Sequence, residues 1–437
     1  MQALKQVQSD CDFQRISHLN NPLPGEVPLL AVFNYNGSMM FLRSRVFIFI
    51  SALAFLLASC SSTGRAAAVF KENGSGAGES APAGAQADSG KKTDGSAGTI
   101  SMIFAGDIMA HSVNYNSGNF DRIWQDIKPL LKTCDLGFAN LEAPVNDAQA
   151  WSTYPQFNMH SSYVEAAVQA GFNVFSLANN HSNDWYLEGI NATRTWFENR
   201  PEVFACGLKT SPSQKITFRL IEKNGWKILF AAVTEILNRP DYASWIDYFP
   251  AKNHSLLMEE LKNIQPKNKH DLFILSIHTD EAEYKKNITE SHKVFFRQLV
   301  QDCGVDVVWA NHPHVYKEFE TVTLQDKKAF IMYANGNTIS GQRTSPSLAK
   351  KPNERDDTGD GLLIKVTFEK KDSKVSLKQI EPHFITSYIQ PDSQIAVRLA
   401  DEDFIHCLYR SGLFDWADYI QSRKNIYENT KGNSTWQ

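Results

Sequence analysis

LLIKVTFEKKDSKVSLKQI, residues Leu362–Ile380, holds two β-rich runs, Leu362–Phe368 and Val375–Ile380, either side of the polar turn Lys370–Lys374. Two such runs around a short polar turn form an antiparallel hairpin. Its place late in the chain decides the fold, because what precedes it reads differently. From Thr99 onward, short apolar β-rich runs alternate with helical spacing, the mark of stacked β-α units around a sheet. Ile100–Ala105, Leu136–Ala139, Val174–Leu177, Leu272–Ile277, Val305–Trp309 and Ala329–Tyr333 read as strands. Between them Val164, Ala167, Val168 and Gly171 lie at helical spacing, as do Val294, Phe295, Leu299 and Val300. Ile216–Ile221 and Trp226–Val233 flank Asn224-Gly225, a strong hairpin signal. Antiparallel pairs added to β-α units call for an α/β fold of two mixed sheets packed face to face with helices outside, and Asp401–Tyr427 reads as terminal helices.

Working toward the N-terminus, Ser61–Gly98 is rich in Gly, Ala and Ser and poor in large apolar residues, so it reads as an unstructured tether, 61–98. Val46–Ala58 is an apolar run too short for a typical span, preceded by Arg43 and Arg45 and followed by Leu57-Ala58-Ser59-Cys60. That ending resembles the lipobox of bacterial lipoproteins, which implies a signal peptide over 39–60, cleavage before Cys60 and lipid on Cys60. Ser61 resembles the outer-membrane sorting pattern. The expectation is an exported, membrane-anchored lipoprotein. Residues 1–38 precede a natural start at Met39 or Met40 and read as an upstream lead outside the gene product, leaving 99–437 as the folded domain.

The 437 residues carry a formal net charge of −4 and 42% hydrophobic residues, enough for a large core and too little positive charge for a nucleic-acid partner. Cys134, Cys206, Cys303 and Cys407 are spaced too widely for a zinc ribbon or a disulfide scaffold and read as core thiols, with room for one bridge.

Polar side chains gather where the strands end: Gly106-Asp107 with Met109, Asn140-Leu141-Glu142, Asn179-Asn180-His181 with Asp184, His278, and Asn311-His312-Pro313-His314. In α/β sheets, ligands collect at the carboxyl ends of strands, where loops carry polar groups on a rigid frame. In extended backbone, His312 and His314 would share one side. Singly, each segment has a plain alternative: a turn or helix cap at Asn179–Asn183, a core histidine at His278, a lysine partner for Glu142.

In order and wording these segments resemble the bacterial capsule-synthesis CapA (poly-γ-glutamate synthesis) family, itself similar to the calcineurin-like metallophosphoesterases. The resemblance runs from about Thr99 to Gly341. It rests on Gly106-Asp107-Ile108-Met109, Asn140-Leu141-Glu142 with Pro144, Ala178-Asn179-Asn180-His181 with Asp184, His278 with Glu283-Tyr284, Asn311-His312-Pro313-His314-Val315 and Tyr333–Asn337. It implies a metallophosphoesterase-like four-layer α/β/β/α sandwich. Asp107, Glu142, Asn180, His278, His312 and His314 would hold one or two divalent ions (manganese, iron or zinc), with Glu142 bridging. His181 would act as general acid, oriented by Asp184. The implied function is metal-dependent hydrolysis in the making of an envelope polymer, with the polymer's synthesis proteins as partners; the alternative is a non-catalytic part of that assembly. The chain departs from the family pattern at Met109, where metallophosphoesterases place a histidine, at Thr279-Asp280 in place of Trp-Gly, and at Asn311 in place of histidine.

Overall fold

The computed structural model describes residues 98–433 except 326, 344–345, 347–353 and 373. The segments read as an upstream lead (1–38), a signal peptide with Cys60 (39–60) and a tether (61–98) lie outside the described residues, except Gly98, which opens the first strand.

Strands β1 (Gly98–Ile108), β2 (Leu136–Leu141), β3 (Val174–Ser176) and β4 (Phe204–Cys206) run parallel to one another, joined by helical crossovers. The hairpin β5 (Phe218–Lys223) and β6 (Trp226–Thr234) turns at Asn224 and Gly225, both with positive φ. Then β7 (Leu272–His278) and β8 (Val307–Asn311) align parallel to β6. β9 (Phe319–Leu324) and β10 (Lys327–Met332) extend that second sheet, while the short β11 (Asn337–Ile339) returns to β1. The opening hairpin is β12 (Asp360–Lys371) and β13 (Lys374–Ile389), followed by β14 (Ile395–Leu399). Among the described residues, the first sheet has eight strands in the order β14-β13-β12-β1-β2-β3-β4 with β11 beside β1. The second has six, in the order β5-β6-β7-β8-β10-β9.

Alternation along the strands sets the layers, since successive side chains face opposite sides. Met102 and Phe104 of β1, Phe138 of β2, Ile228 and Phe230 of β6, Ile274 of β7 and Trp309 of β8 meet in the core between the sheets. Their neighbours Ile103, Ala105 and Ala139 point outward to the helices Ser161–Ala170 and Tyr186–Glu198, through Tyr163, Ala167 and Ile190. On the other side, Leu229, Phe273 and Val308 meet the helices His254–Ile264 and Glu290–Cys303, through Leu257, Leu261, Phe295 and Leu299. The result is the four-layer α/β/β/α sandwich of two facing mixed sheets that the sequence implies. Phe104 and Phe138 stack at 4.6 Å, Phe138 meets Phe230 edge-on at 5.6 Å, and the Trp309 Nε1–H donates to Ala105 O at 2.9 Å. Each such aromatic contributes about 1.5–3 kcal/mol by burial. These contacts hold the two sheets in fixed register.

The strands read from the sequence shift at their ends, and β4, β9, β11 and β14 have no counterpart in that reading; the run placed at Val305–Trp309 pairs over Val307–Asn311, which carries the strand up to the histidine loop. The C-terminal helices Glu402–Arg410 and Phe414–Asn433 leave the outer layers and join the inter-sheet core through Phe404, Leu408 and Ile420. Cys134, Cys206 and Cys303 are free thiols. Among the described residues, no helix is long and apolar enough to cross a membrane.

Candidate metal centre

Asp107 lies at the end of β1, Glu142 directly follows β2, Asn180 and His181 follow β3, His278 closes β7, and His312 and His314 follow β8. All seven are buried. Gly106 lets β1 reach this point, because a Cβ there would sit 1.7 Å from Gly336 O.

The side chains converge in two overlapping sets. Glu142, His278 and His312 form one and Asp107, Glu142 and His314 the other, the donor atoms of each set lying within 4.8 Å of one another. Glu142 belongs to both. Its Oε1 is 3.8 Å from His278 Nε2 and 3.8 Å from His314 Nε2. His278 Nε2 also faces His312 Nδ1 at 3.1 Å and Asn180 Oδ1 at 2.9 Å. His314 Nδ1 lies 3.3 Å from Asp107 Oδ2 and 3.0 Å from Asn337 Oδ1. Asn140 donates through Nδ2 to Asp107 Oδ1 at 2.8 Å, which fixes that carboxylate's plane.

The electrostatics suit a cation. Glu142 is fully buried, and neither of its oxygens has a hydrogen-bond partner. Burial, then the charge of Asp107, raises its pKa well above the ordinary carboxylate value. Burial and the neighbouring His312 hold His278 well below the usual imidazole range, and burial with His314 takes His312 down to about 3. Both rings are therefore neutral, with lone pairs to offer. Burial alone would lower His314 too, but the Glu142 and Asp107 carboxylates reverse that and bring it to about 9. An unpaired buried carboxylate costs several kcal/mol unless a cation or donor meets it, and mixed imidazole and carboxylate donors match first-row divalent ions. The residues present fit such a group.

His181 and Asp184 stand beside these sets. His181 Nδ1 lies 2.7 Å from Asp184 Oδ2, which also accepts the Phe157 N–H at 2.7 Å. The Phe157 ring meets the imidazole edge-on at 4.8 Å, and Asn238 Nδ2 is 3.3 Å from Nδ1 and 3.4 Å from Nε2. The segment Asn179–Asn183 is a built, buried loop: Asn179 donates to Leu141 O at 2.8 Å, and Ser182 Oγ donates to Leu177 O at 2.6 Å.

The His-Pro-His loop converges by a different route from the one its spacing suggests. His312 has φ 103° and His314 φ 58°, so neither is extended, and the two rings serve different sets. Non-glycine residues in left-handed backbone cost of order 1–3 kcal/mol and concentrate at functional sites. Met109 turns away into the core, while its backbone O accepts the Tyr163 hydroxyl at 3.1 Å. Asn311 contributes through its backbone, whose O accepts the Thr279 N–H at 3.2 Å. Three participants escaped the sequence. Asn238 sits in a loop without any pattern, and Asn337 was visible only as part of a strand end. His111, taken down to about 4 by burial and by His314, lines the wall beside Phe157 at 5.0 Å.

Residues 101–342 match the family model described as bacterial capsule synthesis protein PGA_cap. The capsule biosynthesis protein CapA of Bacillus anthracis is 25% identical over 261 residues, covering 56% of this chain and 60% of that protein. The PGA biosynthesis protein CapA of Bacillus subtilis is 24% identical over 261 residues, covering 56% and 64%. The chain thus spans less than two thirds of either relative's length. Among solved structures, a phosphatase from Mycoplasma pneumoniae aligns with a TM-score of 0.42 at 16% identity, over 66% of this chain and 94% of that one.

Proposed function

This chain belongs to the bacterial capsule synthesis PGA_cap family, and from that premise we propose a membrane-tethered, metal-dependent hydrolase of the phosphoesterase type. It would act in the biosynthesis, transport or localisation of a capsule or envelope polymer such as poly-γ-glutamate, beside the polymer's synthesis proteins. Lipid on Cys60 would hold it at the membrane on the exported side.

One observation carries the reading: Glu142 lies buried with no hydrogen-bond partner for either oxygen, shared by two histidine-containing donor sets, beside a histidine that belongs to neither. Asp107, Glu142, Asn180, His278, His312 and His314 would hold one or two manganese, iron or zinc ions. Such ions supply Lewis-acid polarisation of a phosphoryl oxygen and an activated water. Asn140 and Asn337 hold Asp107 and His314 in orientation. Asp184 Oδ2 would hold the His181 ring through Nδ1, which leaves Nε2 as the nitrogen that would serve a leaving oxygen. Phe157, packed on the same ring, limits water there.

His181→Ala tests the reading. Metal content and melting temperature should stay at the wild-type level while turnover of phosphoester substrates, and polymer output in cells, fall by roughly 10²- to 10⁴-fold. Undiminished polymer output with metal still bound would leave the chain a non-catalytic part of the assembly.

A further inference from the structure

On the outer side of the second sheet, the loops leaving β6 and β7 build a separate cluster of metal-ligating groups. Glu235 directly follows β6, Asp280 lies two residues beyond β7, and His254 and His292 come from the first turns of the two helices that cover this face. His254 Nε2 is 2.6 Å from Glu235 Oε1, and His292 Nε2 is 2.8 Å from Glu235 Oε2 and 3.4 Å from Asp280 Oδ1. The donor atoms of Glu235, Asp280 and His292 lie within 4.8 Å of one another. We propose that Glu235, His254, Asp280 and His292 form a second, separate binding site for a zinc-class divalent cation.

Each ring is held for the task by a contact of its own. His292 Nδ1 is 3.0 Å from Glu281 Oε1 and 2.8 Å from Thr289 Oγ1, a carboxylate–histidine arrangement of the kind that fixes tautomer and ring plane in metal sites. His254 stacks on Phe295 at 3.5 Å with the planes 2° apart, beside a surface hollow that both rings line. Two imidazoles and two carboxylates are a donor set for zinc, and Glu235 with Asp280 neutralises a dication. Glu281 is already engaged by the Lys317 ammonium, which donates to it, and by the Thr289 hydroxyl at 2.7 Å, so it orients and does not ligate.

On binding, any proton on His292 Nε2 or His254 Nε2 would leave to solvent, while His292 Nδ1 stays beside Glu281. Asp280, with a side chain 41% exposed, and His254, 22% exposed, leave the ion a solvent-facing position.

The test is zinc content and thermal melting of the full chain, in wild type, in His254→Gln/Asp280→Asn and in His312→Ala/His314→Ala. The first double variant should carry one zinc equivalent fewer than wild type and retain the ions of the inner centre. The second should lose inner-centre zinc and still bind one equivalent that raises its melting temperature, a rise abolished by adding His254→Gln and Asp280→Asn. Equal zinc content in wild type and His254→Gln/Asp280→Asn overturns the proposal. So does a loss of stability in that variant that is the same with and without zinc, which would leave an internal ion network only. Because the second variant disables the inner centre, failure there and failure here are read separately.

Discussion

The first sheet brings oxygen to the inner centre and the second brings nitrogen: Asp107 lies near the end of β1 and Glu142 and Asn180 follow β2 and β3, whereas His278, His312 and His314 end or follow β7 and β8. Neither sheet alone offers a complete ligand set. Each of the two donor sets takes at least one carboxylate from the first sheet and at least one imidazole from the second. A bound ion would therefore clamp the sheets together across their seam, and metal affinity would depend on how rigidly the Phe104, Phe138, Phe230 and Trp309 contacts hold their separation.

The division of labour is tested most severely at Glu142, the one carboxylate in both sets. Glu142→Ala should remove nearly all metal bound at the inner centre and also remove a buried carboxylate without a hydrogen-bond partner, so the metal-free variant should melt no lower than metal-free wild type, by calorimetry after chelation. Retention of half the metal would mean that Glu142 serves one set only. On the nitrogen side, His312→Ala should weaken the set containing His278 and leave Asp107, Glu142 and His314 competent, so metal content should fall partway, read by elemental analysis at limiting metal. Equal losses from His312→Ala and His314→Ala, each emptying the inner centre, would show one cooperative site in place of two sets. Asn337→Ala frees the ring it orients without removing a ligand, and should cost 10- to 100-fold in metal affinity by titration.

The smallest effect concerns pH. His292, on the outer face of the second sheet, starts from a loss by burial that Glu235 and Glu281 more than reverse, taking it up to about 9. A folded pKa above the unfolded value of about 6.5 gives stability that is complete below pH 6.5 and is lost as pH rises through 9. In chelator-treated protein, urea melts should show stability falling by on the order of 2 kcal/mol across that window. His292→Gln should flatten the slope; an unchanged slope would assign it elsewhere.

Much of the oxygen side was legible because Asp107 and Glu142 stand directly at the ends of apolar runs, where strand period and chain direction fix their place. The nitrogen side was legible in composition and not in geometry. Residue spacing in His312-Pro313-His314 carries no sign of the left-handed backbone at both histidines, in a loop flanked by Asn311 paired with His278 and Tyr316 bridged to Asn335. Asn238 and His111 were invisible for a related reason: a residue in a patternless loop acquires its neighbours from the tertiary fold alone. The hairpin at Leu362–Ile380 was read correctly as evidence for two sheets, although nothing in its own sequence says that β12 lies directly against β1.

That pairing orders events in time. β1 occupies the interior of its sheet, with β2 on one side and β12 on the other, and Ile100 lies opposite Phe368. The first strand among the described residues gains its second neighbour only after nearly all the rest of the domain exists. Loop closure over such a distance makes this a slow, late contact. Until it forms, β1 presents one open backbone edge, and Asp107 has yet to be set against the Gly336 turn. Order of synthesis thus leaves the β12-facing edge of β1 open until residues 360–371 have been made. Pulse-labelled hydrogen exchange should find the amides of β1 and β12 protected together, and last.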